Sequence, residues 1–156
     1  MKYTDITEEL KTVSFEYFYW FSRFEFVLKE YKILKSEVVG ERAEPSWEKF
    51  SQIYSDRYNI TDDGRRLIEL HPKRQIISEN QELEWHPVGL NHCNSELSKI
   101  KTMLTTIRNN LFHGGKHGDT DQDSIARNID LLRTAKTVLD ELASQFNFEN
   151  DYQRQY

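Results

Sequence analysis

Apolar side chains at positions 17, 20, 21, 24, 27, 28 and 31 recur at the spacing of one helix face, and neither glycine nor proline occurs before Gly40. This predicts one long helix from about Thr7 to Val39. Thr4 or Asp5 can cap its start, and Glu8 and Glu9 stand in the first turns, where the helix dipole favours carboxylates. The segment is crowded with aromatic residues, and Phe15, Phe18, Tyr19 and Phe26 fall off the apolar face. Two readings follow: a central helix buried on more than one side, or a helix whose extra aromatic face packs on a second copy of the chain.

The pattern then shortens. Residues 40–45 (Gly-Glu-Arg-Ala-Glu-Pro) predict a turn, and Ser46 an N-cap for a short helix to about Tyr58 with Trp47, Phe50, Ile53 and Tyr54 on its apolar side. Asp62-Asp63-Gly64 predicts a break, and residues 65–70 a short helical turn. Between His71-Pro72 and His86-Pro87 no helical period survives, since a residue before proline is pushed out of the helical region. There Gln75-Ile76-Ile77 and Leu83-Glu84-Trp85 predict a small hairpin around a turn at 78–80, within an irregular strap at about 71–87. Leu97, Ile100, Met103, Leu104, Ile107 and Leu111 predict a second long helix from about Leu90 to Phe112, ended by Gly114-Gly115. Thr120 or Asp121 can cap a last helix at about 122–146, with Ile125, Ile129, Leu132, Leu139, Leu142 and Phe146 on its stripe. The polar tail 147–156 predicts fraying. The sum is one all-α domain over residues 1–156, an up-and-down bundle of about four main helices with an insertion.

Bulk composition narrows the classes. The 156 residues suit one domain with a core of its own. Charged residues make up 30%, aromatic residues 13%, and the formal net charge is −5. An acidic chain is a poor wholesale nucleic-acid coat, although a local basic site is compatible with it. One cysteine, Cys93, excludes an intrachain disulfide and a cysteine cluster. No run approaches the ~18 apolar residues of a membrane span, and no hydrophobic signal region follows the N-terminus. The expected location is cytoplasmic.

Candidate chemistry concentrates in residues 107–116 (Ile-Arg-Asn-Asn-Leu-Phe-His-Gly-Gly-Lys). Arg108 offers a permanent planar cation suited to phosphate. His113 can exchange a proton near neutrality. Asn109 can orient a substrate or the histidine by hydrogen bonds, and Lys116 and His117 add positive charge beyond. Five residues along a helix separate two positions by about 140°, so this reading needs the last turn to unwind before Gly114-Gly115. The bland reading is a capped helix end whose cations meet the dipole. Glu25 on the first helix can hold Arg108 or His113 in place, or serve in a structural ion pair. His86, His92 and Cys93 have the wrong spacing for a zinc site, so no metal or cofactor is expected. Gly114-Gly115-Lys116 follows a helix and so is no P-loop, and no nucleophile elbow occurs.

Arg108-Asn109-Asn110-Leu111-Phe112-His113 resembles the motif of the HEPN superfamily (higher eukaryotes and prokaryotes nucleotide-binding): arginine, a polar residue, variable residues, then histidine at the end of an inner helix. The aromatic first helix, with Ser22-Arg23-Phe24-Glu25, is similar to the opening helix of such domains. The resemblance implies a metal-independent endoribonuclease acting as a homodimer, with one motif from each chain. It implies attack of a ribose 2′-hydroxyl on the adjacent phosphate, with His113 as general acid or base, Arg108 stabilising phosphoryl charge and Asn109 assisting. It implies RNA or nucleotide as ligand, and a role in defence or toxin–antitoxin systems with a cognate antitoxin or partner protein. The alternative it leaves is a non-catalytic module that binds a nucleotide or a partner.

Overall fold

The computed structural model describes residues 6–113 and 124–154. They are mostly helical: α1 (Glu8–Glu30), α2 (Trp47–Tyr54) with a 3-10 turn (Ser55–Arg57), α3 (Asp62–Leu70), β1 (Lys73–Ile77), β2 (Leu83–Pro87), α4 (Glu96–His113), α5 (Ile125–Gln145) and α6 (Glu149–Gln153). α1 packs chiefly on α5, α2 and α3 on α4, and α3 also on α5. None of the described helices is long and apolar enough to cross a membrane.

α1 begins where the pattern places it, but its cap is Thr7, whose Oγ1 accepts from the Leu10 N–H at 3.1 Å. Thr4 and Asp5 lie outside the described residues. The helix ends nine residues before the expected Val39. Lys32 adopts a left-handed φ of 59°, its N–H bonds to the Lys29 carbonyl, and the Ile33 N–H reaches back to the Leu28 carbonyl. This is a Schellman ending, with lysine in the position usually held by glycine. Leu28 and Ile33 are both buried, completing the apolar contact that accompanies such an ending. Residues 31–46 form a strap, closed where Lys35 N–H meets the Glu44 carbonyl and Ser46 N–H meets the Ile33 carbonyl.

Thr61, Ser95 and Ser124 make the next caps, accepting from the N–H groups of Gly64, Ser98 and Arg127. Each such cap contributes about 1 kcal/mol. They move three expected boundaries. Asp62-Asp63-Gly64 is the first turn of α3, with its carboxylates at the positive end of the dipole, and does not break the chain. α4 starts at Glu96, after a turn at 90–94 rather than at Leu90. α5 starts at Ile125; the expected caps Thr120 and Asp121, and Gly114-Gly115, lie outside the described residues.

The expected hairpin is present, pairing Lys73 with Pro87 through Ile77 with Leu83. Its base is held to α4 by Asn110, whose Nδ2 donates to the Lys73 carbonyl at 2.7 Å. That carbonyl faces Pro87 in the register, and proline has no N–H to offer it. Its tip leaves Ile77 and Leu83 exposed.

The core combines the stripes of α1, α4 and α5 with an aromatic cluster. Phe24 lies against Trp47, Phe50, Phe148 and Tyr152, at centroid distances of 5.1, 5.3, 6.0 and 6.2 Å. The expected frayed tail is therefore partly wrong: Phe148 and Tyr152 are buried and α6 is ordered around them. Arg23 secures it, donating to the Asp151, Tyr152 and Arg154 carbonyls. Ile53, expected on the apolar side of α2, is 58% exposed. α1 is not buried all round: Phe15, Phe18 and Tyr19 are exposed, and Phe26 is half-buried under the Arg23 guanidinium.

Candidate functional site

Arg108 and Asn109 line a cleft of about 710 Å³ between α1, the strap, the start of α2 and the outer face of α4. α4 buries Leu97, Ile100, Met103, Leu104 and Ile107, and this anchoring turns Lys101, Thr105 and Arg108 to the cleft. α1 contributes Phe21 and Glu25, the strap Lys35, Arg42 and Glu44, and α2 Trp47 and Glu48.

The cleft wall is closely bonded. The Trp47 indole N–H donates to Glu25 Oε1 at 3.0 Å, and the Trp47 ring stacks on Phe21 at 5.0 Å. Glu25 is thus fixed from α2, across a turn, and stands in the same cleft as Arg108. The Arg108 guanidinium donates to Asn109 Oδ1 at 3.0 Å and lies 5.9 Å from the Phe21 ring centre. Beneath them the wholly buried Tyr17 hydroxyl donates to the Leu104 carbonyl at 2.7 Å. Burial raises the Tyr17 pKa well above its ordinary value; the Arg108 charge opposes the rise and Glu25 adds to it. Arg108 and Glu25 therefore act on one buried hydroxyl from opposite electrical sides.

Further along the cleft, Lys101 Nζ lies 2.6 Å from Glu48 Oε2, and Lys35 Nζ 2.8 Å from Glu44 Oε2. The hydrogen bond and charge of Lys101 hold the Glu48 carboxyl below its usual range, and Lys35 does the same for Glu44. The cleft thus presents four cations, Lys35, Lys101, Arg42 and Arg108, against three carboxylates, Glu25, Glu44 and Glu48.

α4 runs as regular helix through His113. The expected unwinding of its last turn does not occur, so positions 108 and 113 stand about 140° apart around the helix and about 7.5 Å apart along it. The His113 side chain, Lys116 and His117 lie outside the described residues. Glu25, Arg108 and Asn109 line one cleft, where Glu25 accepts from the Trp47 indole. Lys35, Arg42, Trp47, Glu48 and Lys101 were not singled out from the sequence. Lys35 was hidden by the assumed continuation of α1 to Val39, and Arg42 lay in what read as a plain turn at 40–45. Lys101 carried a legible signal, being seven residues before Arg108 on the same helix face. His86 bonds to Glu84 at 3.1 Å on the hairpin, while His92 stands beside Cys93 before α4.

Next to the motif, Ser14, Phe15 and Phe18 of α1 and Leu111 of α4 bound an apolar groove of about 260 Å³. No family model, curated protein or solved structure matches the chain.

Proposed function

We propose that the chain is a metal-independent endoribonuclease of the HEPN type, with an up-and-down helical bundle, working in the cytoplasm as a homodimer. The observation that supports this most directly is the position of Arg108 and Asn109 on the cleft wall, in the helix that also carries His113. The ribose 2′-oxygen attacks the adjacent phosphorus and the bond to the 5′-oxygen breaks. One fragment carries a cyclic phosphate and the other a 5′-hydroxyl. His113 takes the 2′-hydroxyl proton or delivers one to the departing oxygen, as general base or acid. Arg108 donates to the non-bridging oxygens as charge gathers on them. Asn109 holds the guanidinium, and Glu25 adds a fixed negative charge to the same wall. Lys116 and His117 supply further positive charge to the RNA. The separation of positions 108 and 113 along an unbroken helix favours a site completed by a second chain. The exposed aromatic face around Phe15 and Phe18 is the surface assigned to that copy. A cognate antitoxin or partner protein in a defence system belongs to the same reading.

The test is cleavage of RNA by purified protein. Arg108→Ala and His113→Ala are each expected to lower kcat by about 100-fold or more, with the melting temperature and solution mass unchanged. EDTA is expected to leave cleavage unaffected. Equal cleavage by the wild type and both variants overturns the proposal, and a monomeric mass overturns the composite site. The three carboxylates in the cleft favour a second reading, a module that binds a nucleotide without cutting RNA; titration showing nucleotide binding with no turnover selects it.

A further inference from the structure

Lys101, Thr105 and Arg108 follow one another at i, i+4 and i+7 on α4, and all three line the cleft. Seven residues make almost two full turns, so Lys101 and Arg108 share a face about 10 Å apart along the axis. That is farther than one phosphate group spans. The cleavage chemistry uses Arg108 and leaves Lys101 without a task. Thr105 does not separate the cations with a free hydroxyl, because its Oγ1 donates back to the Lys101 carbonyl at 2.9 Å.

The Lys101–Glu48 pair is uneven. The Lys101 side chain is 14% exposed, whereas that of Glu48 is 64% exposed. The Lys101 side chain is therefore mostly packed away, while Glu48, which also accepts from Gln52 Nε2 at 3.2 Å, stands mostly in water. An ion pair with one partner mostly in water is weak and screened by salt. A phosphodiester can replace the carboxylate while the ammonium keeps an anionic partner. The volume suits a drug-sized ligand, which corresponds to a short run of one strand. An RNA duplex is contacted from outside across its wide, shallow minor groove and does not enter such a cleft.

We propose that Lys101 forms a second phosphate subsite of the cleft, for a single-stranded RNA several nucleotides long, and that Glu48 is the counterion which the strand displaces. The proposal rests on the RNA-cleaving reading of Arg108. Substrate then lies along α4, with the phosphate to be cut at Arg108 and a neighbouring one at Lys101. Lys35 and Arg42 on the strap share Glu44 as a counterion and leave one net positive charge at the strap side of the cleft.

Binding is measured by fluorescence anisotropy with a single-stranded DNA octanucleotide, which has no 2′-hydroxyl and is not cut. Lys101→Gln is expected to weaken binding about tenfold, the scale of one charge-assisted contact. It is also expected to lower the slope of log affinity against log salt by about 0.7, the share of one single-strand phosphate. Glu48→Gln tests the contact from the other side and is expected to tighten binding several-fold. In cleavage assays the Lys101→Gln loss is expected in KM more than in kcat, and to be larger for an RNA octanucleotide than for a dinucleotide. Wild-type affinity and salt slope in Lys101→Gln, or weaker binding in Glu48→Gln, overturn the subsite. A wild type that cuts RNA while Lys101→Gln binds normally loses the subsite and keeps the nuclease. Lys101-dependent binding without cleavage keeps the subsite and removes the nuclease. Neither binding nor cleavage removes both.

Discussion

The Tyr17 hydroxyl has no contact with water, and its proton is held against the Leu104 carbonyl on the inner side of the cleft. Burial also raises the Tyr152 hydroxyl, which donates to Asp140 at 3.0 Å, above its ordinary value. Both groups keep their protons in the folded state at a pH where the unfolded chain loses them. Their stabilising contribution is therefore complete below the ordinary tyrosine value of about 10 and falls as pH rises beyond it. Melting temperature followed from pH 8 to 11 is expected to decline above about pH 10, and less steeply in Tyr17→Phe and Tyr152→Phe. At neutral pH Tyr17→Phe is expected to cost about 1 kcal/mol, the net worth of one hydrogen bond. Glu141 behaves oppositely to the cleft carboxylates. Burial raises its pKa against a 2.6 Å hydrogen bond from Thr61, with Asp63, Asp140 and Asp62 adding repulsion. Glu141→Gln keeps an acceptor for Thr61 and removes the half-buried charge. It is expected to raise the melting temperature at pH 7 and not at pH 3, since stability from this group is lost as pH rises through the carboxylate range. At this scale the sequence was readable where residues are contiguous: Arg108 and Asn109 announce themselves as neighbours. The Glu25–Trp47 bond spans 22 positions and two elements, and no local pattern marks it.

Helix endings decided which elements could be foreseen. The paired prolines are a local signal from which the hairpin between residues 71 and 87 was legible, and Ser46 marked the start of α2, whereas the caps Thr7, Thr61, Ser95 and Ser124 were not picked out. The end of α1 was not, because the left-handed residue that terminates it is Lys32 rather than glycine. α5 ends in the same way, with Asn147 at a φ of 59° and the Phe148 N–H bonded to the Ala143 carbonyl. In both cases a buried apolar residue two places past the cap pulls the chain back, and only tertiary packing reveals it. Lys32→Gly relieves the side-chain clash at positive φ and loosens the unfolded chain, two opposed effects with the first larger. It is expected to stabilise the fold by about 0.5 kcal/mol, seen as a rise of one or two degrees in melting temperature. Ile33→Ala is expected to destabilise by about 2–4 kcal/mol through the cavity it leaves. Asn110→Ala removes the side-chain tie to β1. Amide exchange is expected to accelerate across residues 73–87 while α4 keeps its protection, because a two-stranded hairpin is marginal without support.

Across the whole molecule, α1 is the common support: it packs on α5 and α6, stacks on α2 through Phe21 and Trp47, and lends Glu25 to the cleft. Arg23 extends this role to the last described residues by gathering three carbonyls of the tail. Arg23→Met is expected to release α6, so that limited proteolysis removes the residues after about Asn147 while the remainder stays resistant. The polar letters of that tail predicted fraying, and Phe148 and Tyr152 override them by joining an aromatic cluster assembled from distant parts of the chain. The pairing of α1 with α5 also has a consequence for biosynthesis. α5 begins at Ile125, about a hundred residues after α1, so on a ribosome adding about 5–20 residues per second α1 waits several seconds for its main partner. During that interval the side of α1 with Val13 and Trp20, which borders Leu132 and Lys136 of α5 in the finished fold, is without its cover, and the nascent chain exposes apolar surface of the kind that holding chaperones bind.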